Sequence, residues 1–179
     1  MDEVLPGLFV GGLRDAQDSE QLAHFRIEAV ISILDFERTI EGFGPGTGKE
    51  HLMIKLSDCP QANINPYLTP VSEFIHKARL SGKNVLLHCL VGVSRSICFA
   101  IAYILTVTNL NYAAAIAYIE SKRPVARPNF GFRMQLYKYS QGPIYEARQH
   151  LRVISNGTMS FDTLFHNDCA YSHSLYIAP

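Results

Sequence analysis

The 179-residue sequence has no excess of charge of either sign, because 16 Lys and Arg balance 16 Asp and Glu. A surface that binds nucleic acid is normally cationic, so no nucleic acid partner is expected. The sequence has only four cysteines, with no Cys-x-x-Cys pair and no zinc-ligand spacing among them. It therefore predicts reduced thiols and no metal site, as is usual in the cytoplasm or the nucleus.

Long hydrophobic segments and targeting signals are also lacking. The start Met1-Asp2-Glu3 has neither the basic region nor the apolar run of a secretory signal, and Asp2 excludes N-myristoylation at this start site. The longest apolar helix pattern, near 97–107, is too short to span a bilayer. We therefore expect no stable membrane anchor and a cytoplasmic or nuclear localisation.

What the sequence does contain is one segment, residues 85–96, that combines a strand pattern with polar side chains. It predicts a strand, a tight loop and the N-terminus of a buried helix, where backbone N–H groups converge and can hold an anion such as phosphate. Gly92 lets the backbone close around the anion, and Arg95 can donate a fork of two hydrogen bonds to it. The predicted phosphate-binding residues are Leu90, Val91, Gly92, Val93, Ser94 and Arg95.

Cys89 is the candidate nucleophile of this segment. A helix N-terminus with nearby cationic donors lowers the pKa of a thiol, so Cys89 can attack a bound phosphate as a thiolate. Ser96 can donate a hydrogen bond to the sulfur and ease its departure, and His88 can hold the loop through its side chain. A buried, inert cysteine is the alternative, but it leaves the placement of Gly92 and Arg95 unexplained.

Strand and helix patterns alternate along the chain. This alternation predicts an α/β fold: a central, mostly parallel twisted sheet of about five strands with helices on both faces, and Cys89 at the carboxyl end of a central strand. Residues 151–179 show no period and are expected to form a poorly ordered C-terminal extension. The predicted strands are 5–12, 29–34, 52–56 and 85–88, and the predicted helices are a short one capped by Asp18, then 66–80, 97–107, 112–122, one from Asn129, and 144–153.

A phosphoester also needs a proton donor for its leaving oxygen, because a thiolate, an arginine and backbone N–H groups do not conveniently supply one. Asp58 is the predicted acid, since it follows a strand and is flanked by turn residues. Asp35, at the end of the preceding strand, is the rival. Asp58 could instead form a turn or cap the following helix.

The pattern His-Cys-x-x-Gly-x-x-Arg-Ser at 88–96 resembles the signature loop of the cysteine-dependent protein tyrosine phosphatases, and 92–96 resembles the dual-specificity branch in particular. The Arg-Pro and Pro-Asn-x-Gly-Phe block within 123–136 and the opening strand at 5–11 are similar to the same branch. The likeness covers roughly residues 4–150 and is closest to the small atypical dual-specificity phosphatases linked to stress-kinase signalling. It implies the cysteine phosphatase fold, with residues 1–150 as the catalytic domain.

The resemblance implies dephosphorylation of phosphotyrosine and of phosphoserine or phosphothreonine in proteins, through a cysteinyl-phosphate and without a cofactor. It also places the acid on a loop one strand-helix-strand unit before the nucleophile, which agrees with Asp58. The larger tyrosine-specific phosphatases carry their acid on a Trp-Pro-Asp loop, and this sequence has no tryptophan. The implied partners are phosphorylated proteins, with members of the MAP kinase pathway among the candidates.

Some features depart from the family pattern or leave alternatives open. Val91 stands where alanine is more usual, and we expect its side chain to pack beneath the loop. A phosphoinositide phosphatase usually has basic residues inside this loop, whereas Leu90, Val91 and Val93 are apolar. A catalytically weak phosphoprotein-binding module is the alternative from another class. The thiolate is open to peroxide, and the candidates for a protective partner cysteine are Cys59, Cys98 and Cys169.

Overall fold

The computed structural model describes residues 1–154 and 159–174, which build an α/β fold around a five-stranded sheet. The strand order is β1-β2-β5-β3-β4, with every neighbouring pair parallel except β1 and β2. The mostly parallel sheet with a central β5 is therefore confirmed. The strands are β1 (Asp2–Leu5), β2 (Leu8–Gly11), β3 (Ile27–Leu34), β4 (Glu50–Lys55) and β5 (Asn84–His88).

The first predicted strand, 5–12, is in fact the second strand of a hairpin. Gly7 has a φ of +76°, a left-handed conformation that a glycine adopts without strain, and it turns the chain between β1 and β2. Sequence reasoning missed β1, because its four residues are too few to show a clear alternation.

Helices cover both faces of the sheet, as predicted. In β5, Val85 and Leu87 face the larger apolar core beneath most of the helices, while Leu86 faces a smaller core beside α1 and α2. The helices are α1 (Leu13–Gln17), α2 (Ser19–His24), α3 (Asn65–Leu80), α4 (Arg95–Val107), α5 (Tyr112–Lys122), α6 (Phe130–Gln141), α7 (Pro143–Arg152) and α8 (Phe161–Ser174).

Helix α4 occupies the middle of the larger helical layer, and every one of its residues is buried. Its N-terminus follows the carboxyl end of β5, so the loop between them lies where ligands gather in open α/β sheets. Asp18 accepts a hydrogen bond from the Gln21 N–H and so caps α2 as predicted, and Asn129 caps α6 in the same way through the Phe132 N–H. Within 1–154 and 159–174, no helix has the length and apolar content needed to cross a membrane.

The expectation of poor order at the carboxyl end does not hold for Phe161–Ser174, which form α8. This helix buries Phe161 and Leu164, and it places Asp168 against Arg79 of α3 in a buried ion pair. Residues 155–158 and 175–179 lie outside the described part of the chain. The division of the chain at residue 150 stays a prediction.

Candidate active site

The loop from Cys89 to Ser94 is held from the outside through its own carbonyl groups. Ser94 O accepts the first helical hydrogen bond of α4, from Cys98 N at 2.8 Å, and four further carbonyls accept a hydrogen bond from a group that is not part of the loop. The pairs are His88 Nδ1 to Cys89 O at 3.3 Å, Leu13 N to Leu90 O at 3.2 Å, Arg123 Nε to Gly92 O at 2.7 Å and Arg127 N to Val93 O at 2.8 Å.

This arrangement turns the loop's N–H groups inward. A trans peptide is planar, so a carbonyl that points outward directs the N–H of the next residue to the opposite side. In the described ranges, the N–H groups of Leu90, Val93 and Ser94 donate to no protein acceptor. The loop therefore offers a ring of unpaired donors, which together with the first turn of α4 can bind a phosphate dianion.

Gly92 is the one position in the loop where a side chain does not fit. Its φ is +75°, and a Cβ built on it would lie 2.5 Å from the carbonyl carbon and oxygen of Gly11. The absence of a Cβ lets the loop pack directly against the end of β2. The Gly92 N–H donates to Cys89 Sγ at 3.2 Å.

The Cys89 thiol lies at the base of this ring, with only 2% of the residue exposed. Ser96 donates its hydroxyl to Sγ at 3.5 Å, as predicted for that residue. Burial opposes ionisation of the thiol, but hydrogen bonds from the Ser96 hydroxyl and from the N–H groups of Ser96, Gly92 and Val91 outweigh it. The net effect lowers the pKa of Cys89 below its usual value, so the local structure favours the thiolate.

Arg95 is buried beside the loop, yet its guanidinium is only partly paired. Nη1 donates to Leu56 O at 3.1 Å, while Nε has no hydrogen-bond partner within 1–154 and 159–174. The carboxylates of Asp35 and Asp58 approach the guanidinium to 3.7 and 3.9 Å, too far for direct hydrogen bonds. A buried cation with a free N–H is costly unless an anion binds there, and a phosphate at the loop would supply one.

Both candidate acids lie near Arg95. Asp58 is the more constrained, because its Oδ1 accepts hydrogen bonds from Ser94 Oγ at 2.7 Å and from Asn129 Nδ2 at 2.8 Å. Its Oδ2 faces Arg95 and accepts no hydrogen bond from the described residues. The Asp35 side chain is 55% exposed and, within 1–154 and 159–174, is held only by its approach to Arg95. Asp58 as the proton donor stays a prediction that this geometry supports.

One expectation about the loop is wrong, and several residues that hold the loop were missed. Val91 does not pack beneath the loop, because 65% of it is exposed at the loop's outer edge. No loop contact was predicted for Arg123 or Arg127, whereas the Arg123 guanidinium and the Arg127 backbone N–H both donate to loop carbonyls. Sequence reasoning also assigned no role to Asn129 at the acid. Their position in the Arg-Pro and Pro-Asn block was the available signal.

The three other cysteines are all free thiols. Cys98 is fully buried in α4, and burial together with the charge of Asp58 raises the pKa of its thiol. It is therefore a poor thiolate. Protection of Cys89 by Cys59, Cys98 or Cys169 remains untested.

A low-pKa thiol beneath an anion-binding loop, with a carboxylate beside it, can transfer a phosphoryl group to sulfur. This arrangement defines the class of cysteine-dependent phosphatases. The family model for the catalytic domain of dual specificity phosphatases matches residues 8–142. Dual specificity protein phosphatase 22 of Mus musculus is 37% identical over 152 residues, which cover 85% of this chain and 80% of that protein.

Two further comparisons agree. Dual specificity protein phosphatase 15 of Mus musculus is 37% identical over 151 residues, 84% of this chain and 62% of that protein. The crystal structure of DUSP15 matches with a TM-score of 0.83 at 34% identity, covering 88% of this chain and 98% of that one. The chain belongs to the dual specificity protein phosphatases, as one of their small atypical members. It is a phosphatase of phosphotyrosine and of phosphoserine or phosphothreonine in proteins.

Proposed function

We propose that this chain dephosphorylates signalling proteins through a cysteinyl-phosphate on Cys89, with Asp58 as the acid and then the base. The observation that supports this most is the free, buried Arg95 Nε beside a ring of inward N–H groups and a thiol of lowered pKa. The guanidinium and the N–H donors stabilise the negative charge on a phosphoryl group while it is transferred to the thiolate.

Two chemical steps follow from this assignment. In the first, Cys89 Sγ forms a bond to phosphorus, the ester oxygen leaves with the bonding electron pair, and Asp58 gives that oxygen its proton. In the second, Asp58 takes a proton from water as the water oxygen bonds to phosphorus. The sulfur–phosphorus bond then breaks, which releases phosphate and restores the thiolate. Arg95 and the loop N–H groups hold the equatorial oxygens throughout.

The choice between the two aspartates can be tested by separate substitutions. Asp58→Asn is expected to lower kcat on a phosphotyrosine peptide about 100-fold, the usual size of a general-acid contribution. Its effect on para-nitrophenyl phosphate should be smaller, because that leaving group needs less protonation. Asp35→Asn should retain most of the activity on both substrates. A general acid acts only while it is protonated, so the rate falls as it loses its proton at higher pH. Steady-state kinetics from pH 5 to 8 measure this, and loss of that fall in kcat/KM with Asp35→Asn alone would reverse the assignment.

The rim of the site supports protein substrates over phosphoinositides. Five of the nine large apolar side chains that are exposed in the described ranges belong to the phosphate loop or lie within two residues, along the chain, of a residue that contacts the loop, Arg95 or Asp58. Two of them belong to the loop itself, and the others follow residues that bind the loop, Arg95 or Asp58. They are Phe36, Leu90, Val91, Val125 and Phe130. A phosphoinositide headgroup carries further phosphates and favours cationic contacts, whereas an apolar rim suits side chains beside a phosphorylated residue.

Phe130 offers the clearest test of this rim. It is 72% exposed and directly follows Asn129, which binds Asp58. Phe130→Ala is expected to raise KM about fivefold for a phosphopeptide with apolar residues beside the phosphotyrosine, because contact area is lost. Tyr145→Ala, which removes an exposed ring on α7, is the matched control. No KM difference between the variants, or equal turnover of a phosphoinositide by the wild type, would contradict a rim that selects protein segments.

We assign the physiological role to kinase signalling, with MAP kinase pathway proteins as candidate substrates in the cytoplasm or the nucleus. This follows from the family and from the expectations for reduced thiols. One comparison supports the alternative that the protein is a weakly active phosphoprotein-binding module. A similar structure, at 33% identity and a TM-score of 0.73, is that of a human tyrosine phosphatase-like serine/threonine/tyrosine-interacting protein. Measured turnover decides between the two.

A further inference from the structure

A hydroxyl behind the nucleophile joins two histidines from neighbouring strands. Ser32 Oγ of β3 lies 2.6 Å from Nε2 of His88 in β5 and 2.8 Å from Nε2 of His51 in β4. Ser32 and His88 are fully buried and directly paired in the sheet, whereas His51 is half-buried at the edge strand. The signature loop motif includes His88 but neither Ser32 nor His51.

Which groups donate and which accept in this series of hydrogen bonds follows from the group at its inner end, the Cys89 carbonyl. The Cys89 carbonyl can only accept, so His88 Nδ1 must donate to it. Burial lowers the pKa of His88 to about 4, so the ring is neutral near pH 7 and its Nε2 is an acceptor. The Ser32 hydroxyl therefore donates to His88, and its oxygen accepts from His51 Nε2. In this series of hydrogen bonds, which runs from His51 through Ser32 and His88 to the Cys89 carbonyl, every donor then has an acceptor.

The hydrogen bond from His88 to the Cys89 carbonyl fixes the orientation of the first peptide of the phosphate loop, between Cys89 and Leu90. Because the Cys89 carbonyl is held toward His88, the Leu90 N–H must point the opposite way, away from His88. If His88 rotated or changed tautomer, this carbonyl would lose its donor and the peptide could turn over. When His51 Nε2 donates to the Ser32 oxygen, the hydroxyl proton is directed at His88 Nε2, which favours the tautomer of His88 with its proton on Nδ1.

We propose that Ser32 and His51 are positioning residues for the nucleophile: they fix the ring and tautomer of His88, which holds the first loop peptide and so maintains the N–H ring around the Cys89 thiolate. The proposal rests on the proposed role of Cys89. In this proposal Ser32, His51 and His88 transfer no proton. They only keep their hydrogen bonds in one arrangement. Asp15 of α1 is the acidic group whose charge reaches His88, and it is itself held by the Met1 ammonium and the Gly12 N–H.

The test measures the Cys89 thiol itself. The rate of carboxymethylation by iodoacetate is followed from pH 4.5 to 9 by mass spectrometry of the Cys89 peptide, which separates it from the other thiols. Ser32→Ala removes the bridging hydroxyl, and His51→Leu removes its outer donor. His51→Gln keeps an N–H donor without an imidazole, so it separates hydrogen bonding from charge. Ser72→Ala, at another buried serine in α3, controls for loss of a buried hydroxyl.

We expect Ser32→Ala to raise the Cys89 pKa by about one unit, so that alkylation at pH 6 falls about tenfold. His51→Leu should lower alkylation about threefold, and His51→Gln should restore it. A pH profile of Ser32→Ala that matches Ser72→Ala overturns the proposal, as does a loss in His51→Gln equal to that in His51→Leu. If the profiles shift as expected but the wild type hydrolyses no phosphoester, the positioning chain stands and the proposed catalytic function fails.

Discussion

Replacement of Cys89 by serine is expected to reduce hydrolysis of para-nitrophenyl phosphate by at least about 10⁴-fold, as is usual when an enzyme loses its nucleophile. The structure gives the reason. The hydrogen bonds that end at Sγ lower the pKa of a thiol, but a serine hydroxyl ionises far less readily and stays protonated in the same site. The substitution changes one atom and leaves the loop's carbonyl contacts in place.

The measurement compares the two proteins in reducing buffer with a metal chelator. Cys89→Ser should still bind phosphate or a phosphopeptide, because Arg95 and the loop N–H groups remain, and isothermal titration can show this. Retained binding with lost turnover identifies Cys89 as the nucleophile rather than as a packing residue. Turnover by Cys89→Ser within tenfold of the wild type would contradict that role. A folded wild type with no turnover would instead favour the binding module.

The central chemistry could be predicted because it lies in one contiguous segment. His88, Cys89, Arg95 and Ser96 occupy a strand end, a loop and a first helical turn, and local backbone geometry alone brings them together. Strand and helix periodicity then located the sheet beneath them. The predicted contact of Ser96 with the sulfur agrees with the structure for the same reason.

His88 apart, the groups that hold the loop could not be predicted in this way, because they come from distant parts of the chain. Leu13 and Arg123 act on loop carbonyls only after α1 and the end of α5 pack against the loop. The contact of Asn129 with Asp58 likewise joins residues that the fold brings together. Neither the side-chain type nor the spacing of such residues identifies the acceptor.

Helix α8 escaped prediction for a different reason. It buries two apolar side chains, Phe161 and Leu164, together with two polar ones, Asp168 and Ser172. A helix that is docked largely by polar groups has no clear apolar stripe at the helical period. Asp168 attaches this helix to Arg79 of α3, whose side chain is 3% exposed.

Substitution of Asp168 by alanine is therefore expected to destabilise the protein by about 3–5 kcal/mol, the usual cost of removing one partner from a buried ion pair. Arg79 Nη1 and Nη2 donate to the two Asp168 oxygens at 2.8 and 2.7 Å, a two-bond fork in the interior. Burial alone would lower the pKa of Arg79, but Tyr103 and Asp168 outweigh burial and raise it. Without Asp168, a guanidinium that stays charged would lose its counterion in the core.

Urea unfolding of the full chain measures this effect, with two comparison variants. Asp162→Ala, also in α8, breaks an exposed ion pair with Arg152 of α7 and should cost less than about 1 kcal/mol. Arg79→Met combined with Asp168→Leu removes both charges, so it should recover most of the stability lost in Asp168→Ala. If Asp168→Ala is no less stable than Asp162→Ala, α8 does not depend on this pair. If the double variant is as unstable as the single one, removal of the unpaired charge brings no net recovery, because the hydrogen bonds of Arg79 to Pro6 O and Tyr103 that the double variant also loses matter as much as that charge.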